Sequence, residues 1–263
     1  MIYGTINSML SVVKEVNPDL IYYVWDPPGG SKYRKDLYKL YKGNREQKGP
    51  EFYDEMILLK QLLSALGCTQ ITKPEVETDD VIGFLAVKHF KDHQVVILSN
   101  DKDFLQLTSG RIGIYHPEKG LVPIGANGTI ALKEQSKVIY LTPEQVVDYK
   151  ALVGDPSDNY PGIPGFGIGA ALNYFALNDS VQALIDGTAK VSNQRSNVLN
   201  AIITHRNMVS LWRQLATINV DEGEITVPAR QSKNPEIVEA LFEQLEFNQF
   251  RALSDMIYKI GGR

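Results

Sequence analysis

Cysteine is almost absent from this sequence: Cys68 is the only one in 263 residues. An internal disulfide framework is therefore excluded, and the chain fits a reducing compartment. Histidine is scarce too, with His89, His93, His116 and His205 scattered along the chain. His89 and His93 stand four apart but lack the adjoining glutamate of a helical zinc-protease motif, which argues against a zinc site there. No apolar run approaches the ~20 residues that a membrane helix needs. The first residues, Met1-Ile2-Tyr3-Gly4-Thr5, carry neither a basic region nor a following apolar stretch, so no secretion signal is visible. No internal repeat of solenoid period and no low-complexity tract is present.

Hydrophobic residues make up 43% of the chain and charged residues 22%, which excludes general disorder. At roughly 150 residues per domain the length fits one large or two modest domains, with enough chain to bury a core unaided. The net charge of −4 argues against indiscriminate nucleic-acid binding, yet it is unevenly spread. Residues 31–48 hold seven Lys or Arg against two acids, which leaves −9 on the remainder. One basic, tyrosine-rich segment in an acidic protein points to a local grip on an anion and to carboxylates gathered elsewhere.

The first 110 residues alternate between helix and strand patterns. Ile2, Ile6, Met9, Leu10, Val13 and Val16 keep helical spacing up to Pro18-Asp19. Leu20–Trp25 then reads as a short strand buried on both faces. A helix is expected over about Glu55–Leu66, ended by Gly67, and a strand near Cys68–Thr72. A third helix should begin after Thr78, read as its N-cap, and carry Val81, Ile82, Leu85 and Ala86 inward. Val95–Leu98 is the next strand. This order predicts an α/β fold, a mostly parallel sheet flanked by helices.

Shorter strands are expected at Arg111–Tyr115, Leu121–Ile124 and Val138–Leu141, around a glycine-rich loop at Gly125–Gly128. From Thr142-Pro143-Glu144, an N-cap followed by proline at the first helical position, the chain reads as helical. Helices are expected near Ala170–Phe175, Ser180–Ile185, Arg195–His205, Val209–Ile218, Pro235–Leu245 and Gln249–Ile260. The domain boundary falls near 142, dividing the chain into 1–141 and 142–263.

Eight carboxylates sit where strands end or helices begin: Asp26, Glu77, Asp79, Asp80, Asp101, Asp103, Asp155 and Asp158. The carboxyl ends of parallel strands share one edge, where ligands bind. Each group has a plainer reading alone, as a helix N-terminal charge or a turn residue. Four such coincidences at successive element ends favour a shared site. Eight gathered acids cannot all stay ionised unaided, since like charges raise one another's pKa values. Hard oxygen ligands without nearby Cys or His favour Mg²⁺ or Mn²⁺. Two such ions about 4 Å apart can activate a water, hold a phosphodiester and stabilise its leaving oxygen.

The basic segment carries Lys32, Arg34, Lys35, Lys39, Lys42, Arg45 and Lys48 among Tyr33, Tyr38 and Tyr41. Charge alone fits a solvated helical face; aromatic rings amid cations suit phosphates and unpaired bases. Gly162-Ile163-Pro164-Gly165-Phe166-Gly167-Ile168-Gly169 precedes a helix, where closely spaced glycines expose N–H groups to a phosphate. By itself that motif also fits an interdomain turn.

Together these stretches resemble the 5′ nuclease family: bacterial and bacteriophage 5′→3′ exonucleases, flap endonucleases and the 5′-nuclease domain of DNA polymerase I. The matching pieces are Val24-Trp25-Asp26, Tyr33-Arg34 through Tyr38, Tyr41-Lys42-Gly43-Asn44-Arg45, Glu77-Thr78-Asp79-Asp80-Val81, Asp101-Lys102-Asp103, Gly154-Asp155 through Ser157-Asp158-Asn159, and Pro161-Gly162 through Gly165-Phe166-Gly167. They run in family order over about residues 1–220. The resemblance implies a resolvase-like, PIN-like nuclease core with a helical arch over about 30–55, followed by a C-terminal helical, helix-three-turn region. Asp26, Glu77 and Asp79 would serve one Mg²⁺ or Mn²⁺, and Asp101, Asp103, Asp155 and Asp158 the other, with Asp79 or Asp80 near both. Lys42, Arg45 and Arg34 would act catalytically at the scissile phosphate. Lys32, Tyr33, Tyr38, Tyr41 and the loop glycines Gly162, Gly165, Gly167 and Gly169 would bind DNA, with a K⁺ at that loop. The resemblance further implies DNA flaps or 5′ ends as substrate, a monomer without membrane attachment, and the cytoplasm of a bacterium or phage-infected host.

Two departures stand out. The family has a lysine shortly after the last loop glycine, where this chain has Gly169-Ala170-Ala171. The family also begins with a strand ending in Asp-Gly-Asn, whose aspartate is a metal ligand, whereas Met1 here leads directly into the first helix. The expectation that follows is weak activity and poor stability for the chain as given. A structure-specific DNA-binding protein that no longer cuts is the alternative reading. A haloacid-dehalogenase-like phosphatase needs Asp-x-Asp after its first strand, where this chain has Asp26-Pro27-Pro28.

Overall fold

The computed structural model describes residues 1–125, 127–134, 137–190, 196–221, 225–229, 231–247, 250 and 255. Helix α1 (Ile2–Val16) buries Ile2, Ile6, Met9 and Val13 along one face, as their spacing predicts. Asn17 ends it in a left-handed conformation, φ 48°, its N–H bonding to the Val13 carbonyl. Strand β1 (Tyr22–Val24) follows, then the short helix α2 (Lys32–Leu37), capped by Ser31 through its side chain. Helix α3 (Pro50–Ala65) starts earlier than the apolar pattern indicates, because Gly49-Pro50 supplies an N-cap followed by proline at the first turn. Leu59, Leu62 and Leu63 form its buried face.

Strand β2 (Thr69–Ile71) pairs in parallel with β1, Tyr22 opposite Thr69. Helix α4 (Thr78–Phe84) runs into a π-type turn at Leu85–His89. Its N-cap is Glu77, not Thr78, because Thr78 turns its hydroxyl and N–H onto Asp26 instead. Strand β3 (Val95–Leu98) pairs in parallel with β4 (Ile112–His116), and β5 (Gly120–Leu121) adds antiparallel to β4. The expected parallel pairings are therefore present, but among the described residues they form separate ladders. Side chains of α1 and α3 join them: Tyr23 of β1 and Leu98 of β3 pack into one cluster with Ile6, Met9, Leu59 and Leu62.

The strand expected over Leu121–Ile124 stops at Leu121, since Pro123 has no N–H for a ladder. Ile124 makes one bridge, to Ile130. An unanticipated strand β6 (Ile130–Glu134) forms a hairpin with β7 (Lys137–Leu141), turning Ile130, Leu132, Ile139 and Leu141 inward.

Helix α5 (Pro143–Val153) opens with a reciprocal capping box between Thr142 and Gln145. Helices α6 (Ile168–Phe175) and α7 (Gln182–Ile185) follow. The two helices expected between 195 and 218 are one, α8 (Ser196–Ala216), because nothing in that stretch breaks it. α8 packs on α5, and its Val209, Trp212, Leu215 and Ala216 share the largest core of the described residues with side chains of β4, β6 and β7. Each large apolar side chain fully buried there contributes about 1.5–3 kcal/mol. Helix α9 (Pro235–Gln244) packs on α3. The helix expected at Gln249–Ile260 lies outside the described residues, apart from Phe250 and Asp255. No described helix is long and apolar enough to cross a membrane.

Candidate active site

The acids that end β1 and begin α4 are tied together. Asp26, the second residue after β1, accepts hydrogen bonds at Oδ1 from the Thr78 hydroxyl at 2.7 Å and the Thr78 N–H at 3.1 Å. Glu77 is buried and receives Lys42 Nζ at 2.7 Å, Arg34 Nη1 at 2.9 Å and the Tyr41 hydroxyl at 3.0 Å. Asp79 lies in the first turn of α4. Burial, then the nearby Asp101 charge, push its carboxyl up to about 7, against the pull of Lys42. Glu77 and Asp26 add to that rise, so these four acids share one field.

Asp101 caps the 3₁₀ turn Lys102–Leu107 after β3, its Oδ1 accepting the Asp103 N–H at 2.9 Å. That turn points Asp103 toward Asp155 and Asp158, and one oxygen from each of these three acids lies within 4.8 Å of the others. Asp155 Oδ1 is held by the Ser157 hydroxyl and N–H at 2.5 and 2.8 Å. Burial works to raise the Asp155 pKa, but the ammonium of Lys150 and the Ser157 donors outweigh it and hold the carboxyl below the usual range. Asp158 goes the other way: burial and the neighbouring Asp155 raise it, despite Lys42.

Lys42 links the two groups. Its ammonium lies 2.7 Å from Glu77 and 3.8 Å from Asp158, while its own N–H bonds the Asp158 carbonyl at 3.1 Å. Its backbone takes a left-handed conformation, φ 53°. Arg45 reaches Asp158 from the exposed side at 3.2 Å.

Residues 1–147 match the family described as 5′-3′ exonuclease, N-terminal resolvase-like domain, and residues 141–237 match 5′-3′ exonuclease, C-terminal SAM fold. The chain belongs to the 5′–3′ exonuclease family. It is 34% identical over 250 residues to the thermostable DNA polymerase I of Thermus thermophilus, covering 94% of this chain and 28% of that protein. To DNA polymerase I of Bacillus subtilis it is 31% identical over 251 residues, again 94% of this chain and 28% of that protein. The chain thus spans little more than a quarter of the length of these relatives. Among solved structures its fold is similar to the T5 D15 protein co-crystallised with metal ions, at TM-score 0.60 and 18% identity over 98% of this chain and 92% of that one. The catalytic core of Rad2 in complex with a DNA substrate follows at TM-score 0.53 and 13% identity, over 91% and 77% of the two chains.

In this family member two expected site residues are drawn into the interior. Asp80 is 1% exposed and takes a two-point ion pair from Arg34, plus the Asn219 N–H at 2.8 Å. Arg34 itself is buried and also donates to the Leu215 carbonyl within α8 and the Thr217 carbonyl just after its end. All of its donors are used within the protein, so in this structure Arg34 and Asp80 form a structural pin between α2, α4 and α8. Tyr38 likewise packs edge-on against Trp212, and Tyr41 is buried with its hydroxyl between Glu77 and Asp158. In this structure both rings are engaged by the protein itself, where they were expected to meet DNA. Tyr33 and Lys32 remain on the surface.

The segment 30–55 of this chain consists of α2, a turn over 39–44, an irregular stretch and the start of α3. Its glycine loop joins α5 to α6. Gly154 and Gly162 approach so closely that a Cβ on Gly162 would lie 2.3 Å from the Gly154 nitrogen. Both have positive φ, as does Gly165 at 78°. Gly167 is the N-cap of α6, which carries no capping side chain, and Gly169 lies inside that helix rather than in the loop. Lys150 is the residue that sequence reasoning missed; its signal was a cation in the last turn of α5, just before Asp155.

Proposed function

We propose that the chain is a metal-dependent 5′→3′ exodeoxyribonuclease and 5′-flap endonuclease, hydrolysing DNA phosphodiesters with two divalent ions in replication or repair. The observation that carries this reading is Lys42, whose ammonium brings Glu77 and Asp158 of the two acid groups onto one site. Relatives named DNA polymerase I, and neighbours solved with metal ions or DNA, support it.

The donor set fits hard cations. It is made of carboxylate oxygens, buried or half-buried and compensated by ammonium groups, which suits Mg²⁺ or Mn²⁺. Asp26, Glu77, Asp79 and Asp101 would hold one ion and Asp103, Asp155 and Asp158 the other. Bound there, such ions supply Lewis-acid stabilisation to the oxygens of a phosphodiester. The chain's own residues do the rest. Lys42, released from Glu77 and Asp158, presents its charge to the scissile phosphate, with Arg45 beside it. Lys32 and Tyr33 grip the 5′ strand from the segment 30–55. The glycine loop 162–169 and the uncapped start of α6 hold duplex phosphates through N–H groups, with K⁺ at the loop. Residues 1–141 would form the nuclease core and 142–263 the DNA-holding region of a cytoplasmic monomer.

Incubation with a 5′-flap substrate tests this. Asp79→Ala and Asp101→Ala should abolish cleavage in Mg²⁺ or Mn²⁺ while leaving flap binding in Ca²⁺ largely intact. Undiminished cleavage by either variant overturns the assignment. Tight flap binding by the unmutated chain with no cleavage favours a non-cutting DNA-binding protein of the same family.

A further inference from the structure

Three carboxylates as close as those of Asp103, Asp155 and Asp158 repel one another strongly when part-buried. The ammonium of Lys150 lies between two of them, in contact with Asp103 Oδ1 and 2.6 Å from Asp155 Oδ2. Its side chain is 15% exposed, so the charge acts with little screening. Two of the acids, Asp155 and Asp158, have other partners that hold their position. Asp155 is fixed by Ser157 and Asp158 by Tyr41 and Arg45, while the backbone of Asp103 is set by the turn that Asp101 caps. What Lys150 adds is a cation where those oxygens converge. A lysine head is a compact point charge on a flexible stem, rooted here in a helix whose neighbours Tyr149 and Ala151 are buried. It can leave the cluster without disturbing the fold.

We infer that Lys150 is the resident counter-cation of the Asp103–Asp155–Asp158 cluster, which an entering divalent ion must displace, so that this lysine limits how tightly the cluster binds metal. The inference rests on the metal-site reading above. In the metal-free protein the lysine relieves the repulsion among the acids, and by occupying the space between them it competes with a metal ion.

Calorimetric Mn²⁺ titration of the full chain, beside thermal melts in chelator, tests it. Lys150→Met and Lys150→Gln should melt lower than the unmutated chain without metal, and should bind Mn²⁺ about tenfold more tightly, the effect of one unit charge removed from ion-pair distance at a high effective dielectric. Lys150→Arg, which keeps the charge, should bind as the unmutated chain does. A second measurement needs no variant: on Mg²⁺ addition the Lys150 side-chain ammonium resonance should move to that of a solvent-exposed lysine. Equal or weaker Mn²⁺ binding by folded Met and Gln variants overturns the inference and leaves the metal site standing, as does an unmoved Lys150 resonance while Mg²⁺ binds. No Mn²⁺ binding by any form overturns both.

Discussion

Arg34 and Asp80 form a two-point ion pair, Nη1 to Oδ2 at 2.6 Å and Nη2 to Oδ1 at 2.7 Å, with side chains 4% and 1% exposed. The same guanidinium reaches Glu77 and two carbonyls at the end of α8, so one buried cation pins α2, α4 and α8 together. A buried pair of this kind owes its importance to what remains when half is removed.

Arg34→Met should therefore destabilise the chain by about 3–5 kcal/mol, the cost of stranding a buried charge. The double variant Arg34→Met/Asp80→Leu should recover much of that loss. Urea unfolding of both measures it. A double variant no more stable than the single would deny that the stranded Asp80 charge is the cause.

Lys42→Ala should lower kcat on a flap by about 10²–10³-fold, the scale of one lost electrostatic donor at a reacting oxygen. Duplex affinity should change little. If affinity for duplex and flap falls alike and kcat holds, Lys42 is part of a general anion patch.

Asp79 ionises near 3.8 when unfolded and near 7 in the fold. Between those values the native state keeps a proton that the unfolded chain has released, so without metal this group makes stability fall as pH rises, levelling off above about 7. Asp79→Asn removes the effect. In chelator the variant should exceed the unmutated chain in stability at pH 8, the difference closing toward pH 4. A difference constant across that range would remove Asp79 as the cause.

Gly162→Ala should cost more than the ~1–2 kcal/mol of left-handed strain alone, because its Cβ would collide with Gly154 backbone atoms at 2.3 Å. Gly169→Ala meets no atom within 4 Å and lies in α6, so it should be neutral or stabilise by up to ~1 kcal/mol. Melting temperatures of the two variants decide. Similar losses at both positions would mean that backbone approach is not what the loop requires.

Much of the fold follows from local pattern. The faces of α1 and α3, the capping box of α5 and the strands β1 to β4 rest on nearest-neighbour chemistry that any reader of the sequence can apply. The sheet did not follow to the same degree: pairing joins segments far apart in the chain, so β6 and the division into separate ladders depend on partners that no local pattern names. Pro123 carried a local sign of the end of β5, its missing N–H, which the strand expected to run to Ile124 passed over.

At the site the sequence alone determined which acids are available and where elements end to bring them together, since both depend on residue type and order. Only the tertiary structure decided what each carboxylate faces. Asp79 and Asp80 are adjacent and look interchangeable in sequence, yet about 100° of helical rotation separates neighbours. That rotation leaves Asp79 beside Asp101 and turns Asp80 inward onto Arg34. Lys150 joins Asp103 and Asp155 for the same reason: a charge finds its partner across space, and the distance is settled by packing rather than by spacing along the chain.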